Sequence, residues 1–212
     1  MRFSDHRRQY TLGGLRRADL AEEPVAQFVA WQEQAIAAGL ADPTACVLAT
    51  QQPDQKLRQR MVLMKGVDAH GLVFYTNYQS HKGSELANVP HAALVFWWPT
   101  LQRQVRIEGR VEKASAEVSD AYFANRPRDS QLGAWISQQS VEIPDRDWLE
   151  ERKHRFEQVY DGQPVKRPNH WGGYRIEPSV VEFWQGQEDR LHDRLRYSRH
   201  EGHGWMKVRL AP

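Results

Sequence analysis

Between residues 45 and 113 the sequence is a succession of short apolar segments separated by turn-forming residues, and that spacing limits the folds open to the chain. Residues 45–50 read as a buried strand, 51–55 around Pro53 as a turn, and 57–67 as a second strand. Residues 68–71 form another turn before a third strand at 72–77, and 91–98 with 101–113 read as a hairpin around Pro99-Thr100. Connections this short cannot carry a crossover between parallel strands, so neighbours pair antiparallel. The regular β-α-β-α order of a doubly wound sheet is absent. The predicted architecture is mainly β with α: an antiparallel barrel with helices packed outside.

Pro24 opens a helix reaching about residue 38, with Val25, Phe28, Val29 and Ile36 as its apolar face. A short helix covers 82–88. Residues 115–125, a piece after Pro127, and 145–160 are helical, with Gly162 as a stop. Strands return at 173–176, 180–184, 190–197 and 205–210, the last two joined by a turn at 200–204. Residues 139–143 and 163–170 read as loops. The first 20 residues read as a mobile N-terminal segment, a possible lid, and 21–212 as one domain, which a chain of 212 residues can support with a single core.

Composition removes several function classes. A formal charge of +2, with arginines scattered among acids, leaves no basic stripe for nucleic acid. The longest apolar run, 92–98, is too short to span a bilayer, and residues 1–10 lack the apolar stretch of a secretory signal. The single cysteine, Cys46, permits neither an intramolecular disulfide nor a thiolate cluster, and fits a cytoplasmic location. His200 and His203 lie in a Gly-rich turn without a third ligand and read as a solvated loop, so no metal site is expected. G-x-G-x-x-G, G-x-x-x-x-G-K-[ST] and G-x-S-x-G are all missing.

Several local patterns could carry chemistry. If 190–197 is a strand, Arg190, His192 and Arg194 share one face, with positions two apart separated by roughly 6.8 Å. That row could line a small aromatic anion; it fits a solvent-facing polar edge equally well. Tyr122 and Arg126 lie four apart on one helix face, and Ser130 follows near the start of the next helix, where backbone N–H groups attract anions. The set suits a phosphate, though a helix end capped by Asp129 explains it too. Arg60 and Lys65 differ in parity, so they reach one ligand only if their strand bulges or the ligand wraps its end. Gln104 faces outward with Arg106 and Glu108, opposite Val105, Ile107 and Val111. Trp184 shares a face with Val180 and Glu182.

Taken in order, six stretches resemble the pyridoxamine 5′-phosphate oxidase family. They are Tyr10-Thr11-Leu12-Gly13-Gly14-Leu15, Gln59-Arg60-Met61-Val62-Leu63-Met64-Lys65, Val73-Phe74-Tyr75-Thr76-Asn77, the run from Arg126-Pro127-Arg128-Asp129-Ser130 to Trp135, Glu182-Phe183-Trp184-Gln185-Gly186, and Arg190-Leu191-His192-Asp193-Arg194. The resemblance runs from about Arg7 to Pro212. It implies an FMN-binding split β-barrel working as a homodimer, with FMN where the subunits meet. It implies oxidation of pyridoxamine or pyridoxine 5′-phosphate to pyridoxal 5′-phosphate, with oxygen reduced to hydrogen peroxide.

By the same resemblance, FMN contacts fall to Arg60, Met61, Val62, Leu63, Met64, Lys65, Tyr75 and Thr76. Further ones fall to His81, Lys82, Gln104, Gln139, Ser140, Trp184 and Arg194. Substrate phosphate falls to Lys65, Tyr122, Arg126 and Ser130. Arg190, Leu191 and His192 are implied at the substrate, with Arg190 and His192 catalytic against the pyridine ring. Arg7, Arg8, Gln9 and Tyr10 resemble a substrate-contacting lid, and Arg16-Arg17 a second site for product phosphate. One departure stands out: the family usually has Arg-Lys after the helix-opening serine, whereas here the order is Ser80-His81-Lys82, so a charge there depends on pH. A split-barrel flavin reductase using NAD(P)H is the nearest alternative, and a non-catalytic protein binding FMN or pyridoxal phosphate the next. The phosphate set opposes the first, and the pair Arg190 and His192 the second.

Overall fold

One long strand, β7 (Trp171–Gln185), organises the sheet. In the computed structural model, which describes residues 9–200 and 202–212, it pairs along its length with β6 (Arg103–Lys113). Its other edge is divided. The first half pairs with β4 (Gly71–Asn77), and the second with β8 (Asp193–His200), which in turn pairs with β9 (Gly204–Leu210). Beyond β6 the order continues through β5 (His91–Trp98) and β1 (Ala45–Gln51) to β2 (Leu57–Leu63). The short β3 (Gly66–Asp68) edges β4. Every pairing is antiparallel, as the short connections predict, and the sheet curls into a half-barrel.

Inside the curl sit Leu48, Leu94, Phe96, Val105, Ile107, Phe183, Leu195 and Tyr197, nearly or wholly inaccessible. Helix α1 (Pro24–Ala37) closes this core, placing Phe28 4.9 Å from Phe96 and Trp31 5.1 Å from Phe183 between ring centroids. Leu15 and Leu20 are buried in the same core. A smaller cluster of Phe123, Leu132, Val165 and Trp171 packs α3 (Ala116–Ala124) and α4 (Arg128–Ile136) against the start of β7. Helices α2 (His81–Asn88) and α5 (Asp147–Val159) complete the regular structure.

The structure corrects four sequence expectations. The predicted strand 57–67 is two: β2 stops at Leu63, Met64 turns inward, and the Lys65 N–H bonds to the Val73 carbonyl at 2.9 Å before β3. The unbroken apolar run 61–64 has no period that could reveal this. The predicted strands 173–176 and 180–184 are one. Pro178 lacks an N–H and reads as a break, but the register shifts at Glu108/Gly109 absorb it. Gly109 approaches so closely there that a Cβ would lie 2.0 Å from the Glu177 carbonyl oxygen. The strand predicted from 190 starts at Asp193, because Asp189 and Arg190 take left-handed φ of 52° and 62°. Finally, Ile36 is exposed; α1 buries Pro24, Gln27, Phe28, Trp31 and Ala35 instead.

Candidate active site

A cavity of about 480 Å³ opens between the end of β2, β4, the α3–α4 turn and the start of β7. Lys65, just past the end of β2, lines the cavity with Met61 and Leu63, whose parity it shares, and with Val62. α3 ends at Ala124, so Arg126 lies just past the helix and its N–H bonds back to the Phe123 carbonyl at 3.1 Å. Tyr122 and Arg126 nevertheless line the same wall, and Ser130 joins them from the first turn of α4. Pro127 precedes that helix, with no side-chain cap, so the expected alternative of an Asp129 cap is not what forms.

Aromatic rings stiffen this wall. Tyr75 and Tyr122 stack at 3.7 Å with planes 6° apart, and Trp171 lies parallel to both within 10°. Burial raises the Tyr75 and Tyr122 phenol pKa values above the ordinary range, so both hydroxyls stay protonated donors at neutral pH.

A second, adjoining cavity of about 360 Å³ shares Lys82 and Gln139 with the first and adds Arg58, Arg60, His81 and Ser140. Ser80 caps α2, its hydroxyl accepting from the Gly83 N–H at 3.3 Å, which presents His81 and Lys82 in the first turn. The Lys82 ammonium donates to Thr76 Oγ1 at 3.2 Å and Gln139 Oε1 at 3.1 Å. Burial, and then the nearby Arg60 cation, pull its pKa down to about 8, with Glu85 opposing. Arg60 donates to Glu85 at 2.8 Å and to Thr50 Oγ1, and Arg58 approaches the same buried carboxylate at 3.4 Å. Arg58 and Arg60 thus share one carboxylate, and with Lys82 nearby the cluster keeps an excess of positive charge suited to a phosphate.

The remaining expected residues lie elsewhere on the chain. The strand registers set Trp97, Gln104, Trp184 and Arg194 side by side across β5, β6, β7 and β8. Gln104 faces outward as its parity required, and Arg194 is held by Glu182 through bonds of 2.8 and 3.1 Å. Tyr10 packs edge-on against Trp184 and His192, each at 5.6 Å, and His192 lies 4.6 Å from Trp184. The Gln187 N–H donates to His192 Nδ1 at 3.1 Å, so a neutral imidazole carries its proton on Nε2. Arg190 and Leu191 belong to an exposed turn before β8, not to the strand face expected for Arg190, His192 and Arg194. Gln9 is exposed; Arg7 and Arg8 fall outside the described residues.

Most expected residues therefore gather into two sets. Lys65, Tyr75, Thr76, Tyr122, Arg126, Ser130 and Gln139 meet at the first cavity, and Arg60, His81, Lys82 and Ser140 at its neighbour. None of Tyr10, Gln104, Trp184, Arg190, His192 and Arg194 lines either cavity. Met64 is buried beside them rather than lining them. Sequence reasoning missed Arg58, Glu85 and Trp171. Arg58 was legible, since it shares parity with Arg60 on β2. Glu85 and Trp171 carried no local signal, because both act through contacts distant in sequence.

Comparison with known proteins gives consistent matches. The family model described as pyridoxamine 5′-phosphate oxidase matches residues 32–160, and that described as the pyridoxine 5′-phosphate oxidase C-terminal dimerisation region matches residues 171–212. A pyridoxine/pyridoxamine 5′-phosphate oxidase of Chromohalobacter salexigens is 65% identical, covering 99% of this chain and 98% of that protein. One from a Nostoc species is 52% identical over the same shares. Among solved structures, PhzG from Burkholderia lata 383, in complex with tetrahydrophenazine-1-carboxylic acid, has a TM-score of 0.87 at 31% identity, covering 92% of this chain and 95% of its own. An FMN-binding protein of Nostoc punctiforme related to pyridoxamine 5′-phosphate oxidase shares the fold, with a TM-score of 0.73 at 17% identity over 91% of this chain and 100% of its own.

Proposed function

The chain belongs to the pyridoxamine 5′-phosphate oxidase family, and from that premise we propose that it oxidises pyridoxamine or pyridoxine 5′-phosphate to pyridoxal 5′-phosphate using FMN. Oxygen is the terminal acceptor and leaves as hydrogen peroxide; the amine substrate also consumes one water and releases ammonia. The observation that carries this reading is the pair of adjoining cavities, each furnished for an anion, joined at Lys82 and Gln139.

The donor set fits FMN. Arg58, Arg60, His81, Lys82 and Ser140 would receive its phosphate, and Tyr75, Thr76, Gln139 and the 61–65 segment would border the rest. Bound there, FMN supplies the two-electron acceptor that no side chain of this protein provides. Lys65, Tyr122, Arg126 and Ser130 would anchor the substrate phosphate, fixing the pyridine ring by a group remote from the reacting carbon. Arg190 and His192 would face that ring, His192 presenting Nε2–H because Nδ1 accepts from the Gln187 N–H. Tyr10, at the head of the lid segment, would close over them.

The separation of the two residue sets supports a homodimer in which the Trp184–Arg194 face of one protomer completes the cavities of its partner. The stretch carrying that face, residues 171–212, is the one that matches a dimerisation region. Residues 21–212 are read as one domain. No helix among the described residues is long and apolar enough to cross a membrane, and a cytoplasmic location suits the buried free thiol of Cys46.

The test supplies purified protein with FMN, pyridoxine 5′-phosphate and air. Pyridoxal 5′-phosphate and peroxide should appear in equal amounts and stop when FMN is removed. Bound, oxidised flavin without aldehyde formation would restrict the likeness to fold and defeat the proposed reaction.

A further inference from the structure

The arginines around the cavities are held in two different ways. Arg60 leans on the Glu85 carboxylate at 2.8 Å. Arg126 has no carboxylate partner among the described residues. Its guanidinium carbon lies 4.4 Å from the centroid of the Trp171 ring and 5.6 Å from that of Phe123. Its Nη1 is buried and bonds to nothing. Burial lowers its pKa from the ordinary arginine value, yet a guanidinium stays charged throughout the working pH range.

The choice of partner has a physical consequence. A carboxylate would fix the guanidinium but cancel its charge and compete with an incoming phosphate. An aromatic face attracts the cation through its quadrupole and adds no net charge. Trp171 is itself immobilised: it is 7% exposed, pairs with Asn77 across the sheet, and lies parallel to Tyr122 within 8°. It therefore ties Arg126 and Tyr122 to one slab while leaving a buried donor unspent.

We propose that Trp171 is a positioning residue for the substrate phosphate, holding Arg126 as an uncompensated fork and thereby setting the preference for a phosphorylated substrate. The proposal rests on the reading of Arg126 as the phosphate anchor, and the test separates the two.

The experiment compares holoenzyme variants Trp171→Leu, Trp171→Phe, Arg126→Met and the Trp171→Leu/Arg126→Met double variant. KM for pyridoxine 5′-phosphate, kcat and FMN affinity are measured for each. Loss of a desolvated cation–π contact should raise KM about tenfold in Trp171→Leu, with a much smaller change in kcat and FMN affinity. Trp171→Phe keeps a flat but smaller ring and should leave KM raised only about threefold. The double variant should be no worse than Arg126→Met alone, since both changes act through one guanidinium. An unchanged KM in Trp171→Leu, or effects that add in the double variant, would overturn the proposal. If Trp171→Leu loses FMN and thermal stability together, Trp171→Phe decides: a KM raised about threefold at unaltered FMN affinity supports the role, and an unmoved KM defeats it. If Arg126→Met itself leaves KM unchanged, the phosphate reading fails first and the proposal falls with it.

Discussion

The two parts of the candidate site are built on opposite plans. The cavity side is a prepaired electrostatic network: Lys82 bonds to Thr76 and Gln139, Arg60 and Arg58 share Glu85, and Arg126 rests on Trp171. The outer face is a row of rings and exposed turns: Tyr10 edge-on to Trp97, Trp184 and His192, Trp184 against Trp97 and His192, and Arg190 in a left-handed turn. The first can hold an anion by itself. The residues of the second line neither cavity. On the proposed function, the difference teaches that anion capture would be preorganised in each chain, whereas the chemistry at the pyridine ring would await a second one.

The sharpest way to break this comparison is to disable each side separately. Arg126→Met and Arg190→Met protomers should each lose about a hundredfold or more in kcat/KM, since each removes a charged contact to the bound substrate. Arg190→Met should keep its FMN, because nothing on its side of the protomer grips the cofactor phosphate. Mixed, unfolded and refolded together, the two should recover roughly a quarter of wild-type activity, because random pairing rebuilds one intact site in every hybrid dimer. No recovery on mixing would place the whole site within one protomer.

A smaller effect tests the cavity side alone. Lys82 is depressed to about 8 by burial and by Arg60, so its ammonium is fully present only below that pH. FMN phosphate affinity should hold below pH 8 and fall as pH rises through it, approaching about tenfold per unit because one proton must be taken up on binding. Fluorescence titration of FMN from pH 7 to 9.5 measures the slope, and riboflavin, which has no phosphate, should show none of it. A flat FMN curve would remove Lys82 from the phosphate site.

The smallest expected change comes from His81, where the family resemblance led one to expect arginine. It is exposed at the mouth of the second cavity, beside Arg58, Arg60 and Lys82. His81→Arg should strengthen FMN binding at pH 8 only about threefold, in keeping with a solvent-screened contact. Identical curves for the two proteins from pH 6 to 8.5 would show that His81 takes no part.

Much of this was legible in the chain, for reasons that can be named. Strand spacing and short turns fixed an antiparallel sheet, because pairing direction follows from loop length. The parity of Gln104 put it on the outer face, and the Pro127 break put Ser130 in a helix's first turn. Four features stayed hidden. Nothing local distinguishes Met64 from its apolar neighbours, so the break between β2 and β3 could not be seen. Pro178 suggested a strand end because its tolerance depends on a bulge in another strand, at Gly109. Arg190 looked like a strand residue because its φ of 62° is imposed by the turn it sits in. Glu85 and Trp171 act through partners drawn from other segments.

By itself, then, the sequence determined the direction of strand pairing, the inward and outward faces of most strands, the family and the residue types able to grip two phosphates. These depend on periodicity, turn length and side-chain chemistry, all properties of neighbours in the chain. Only the tertiary structure decided which residues meet: that Lys65 joins Tyr122 and Arg126, that one buried carboxylate is shared by two arginines, and that Arg126 is held by a ring instead of a counter-ion. Those outcomes turn on contacts between segments far apart in sequence, whose strength depends on burial and relative placement, and neither exists until the sheet has closed.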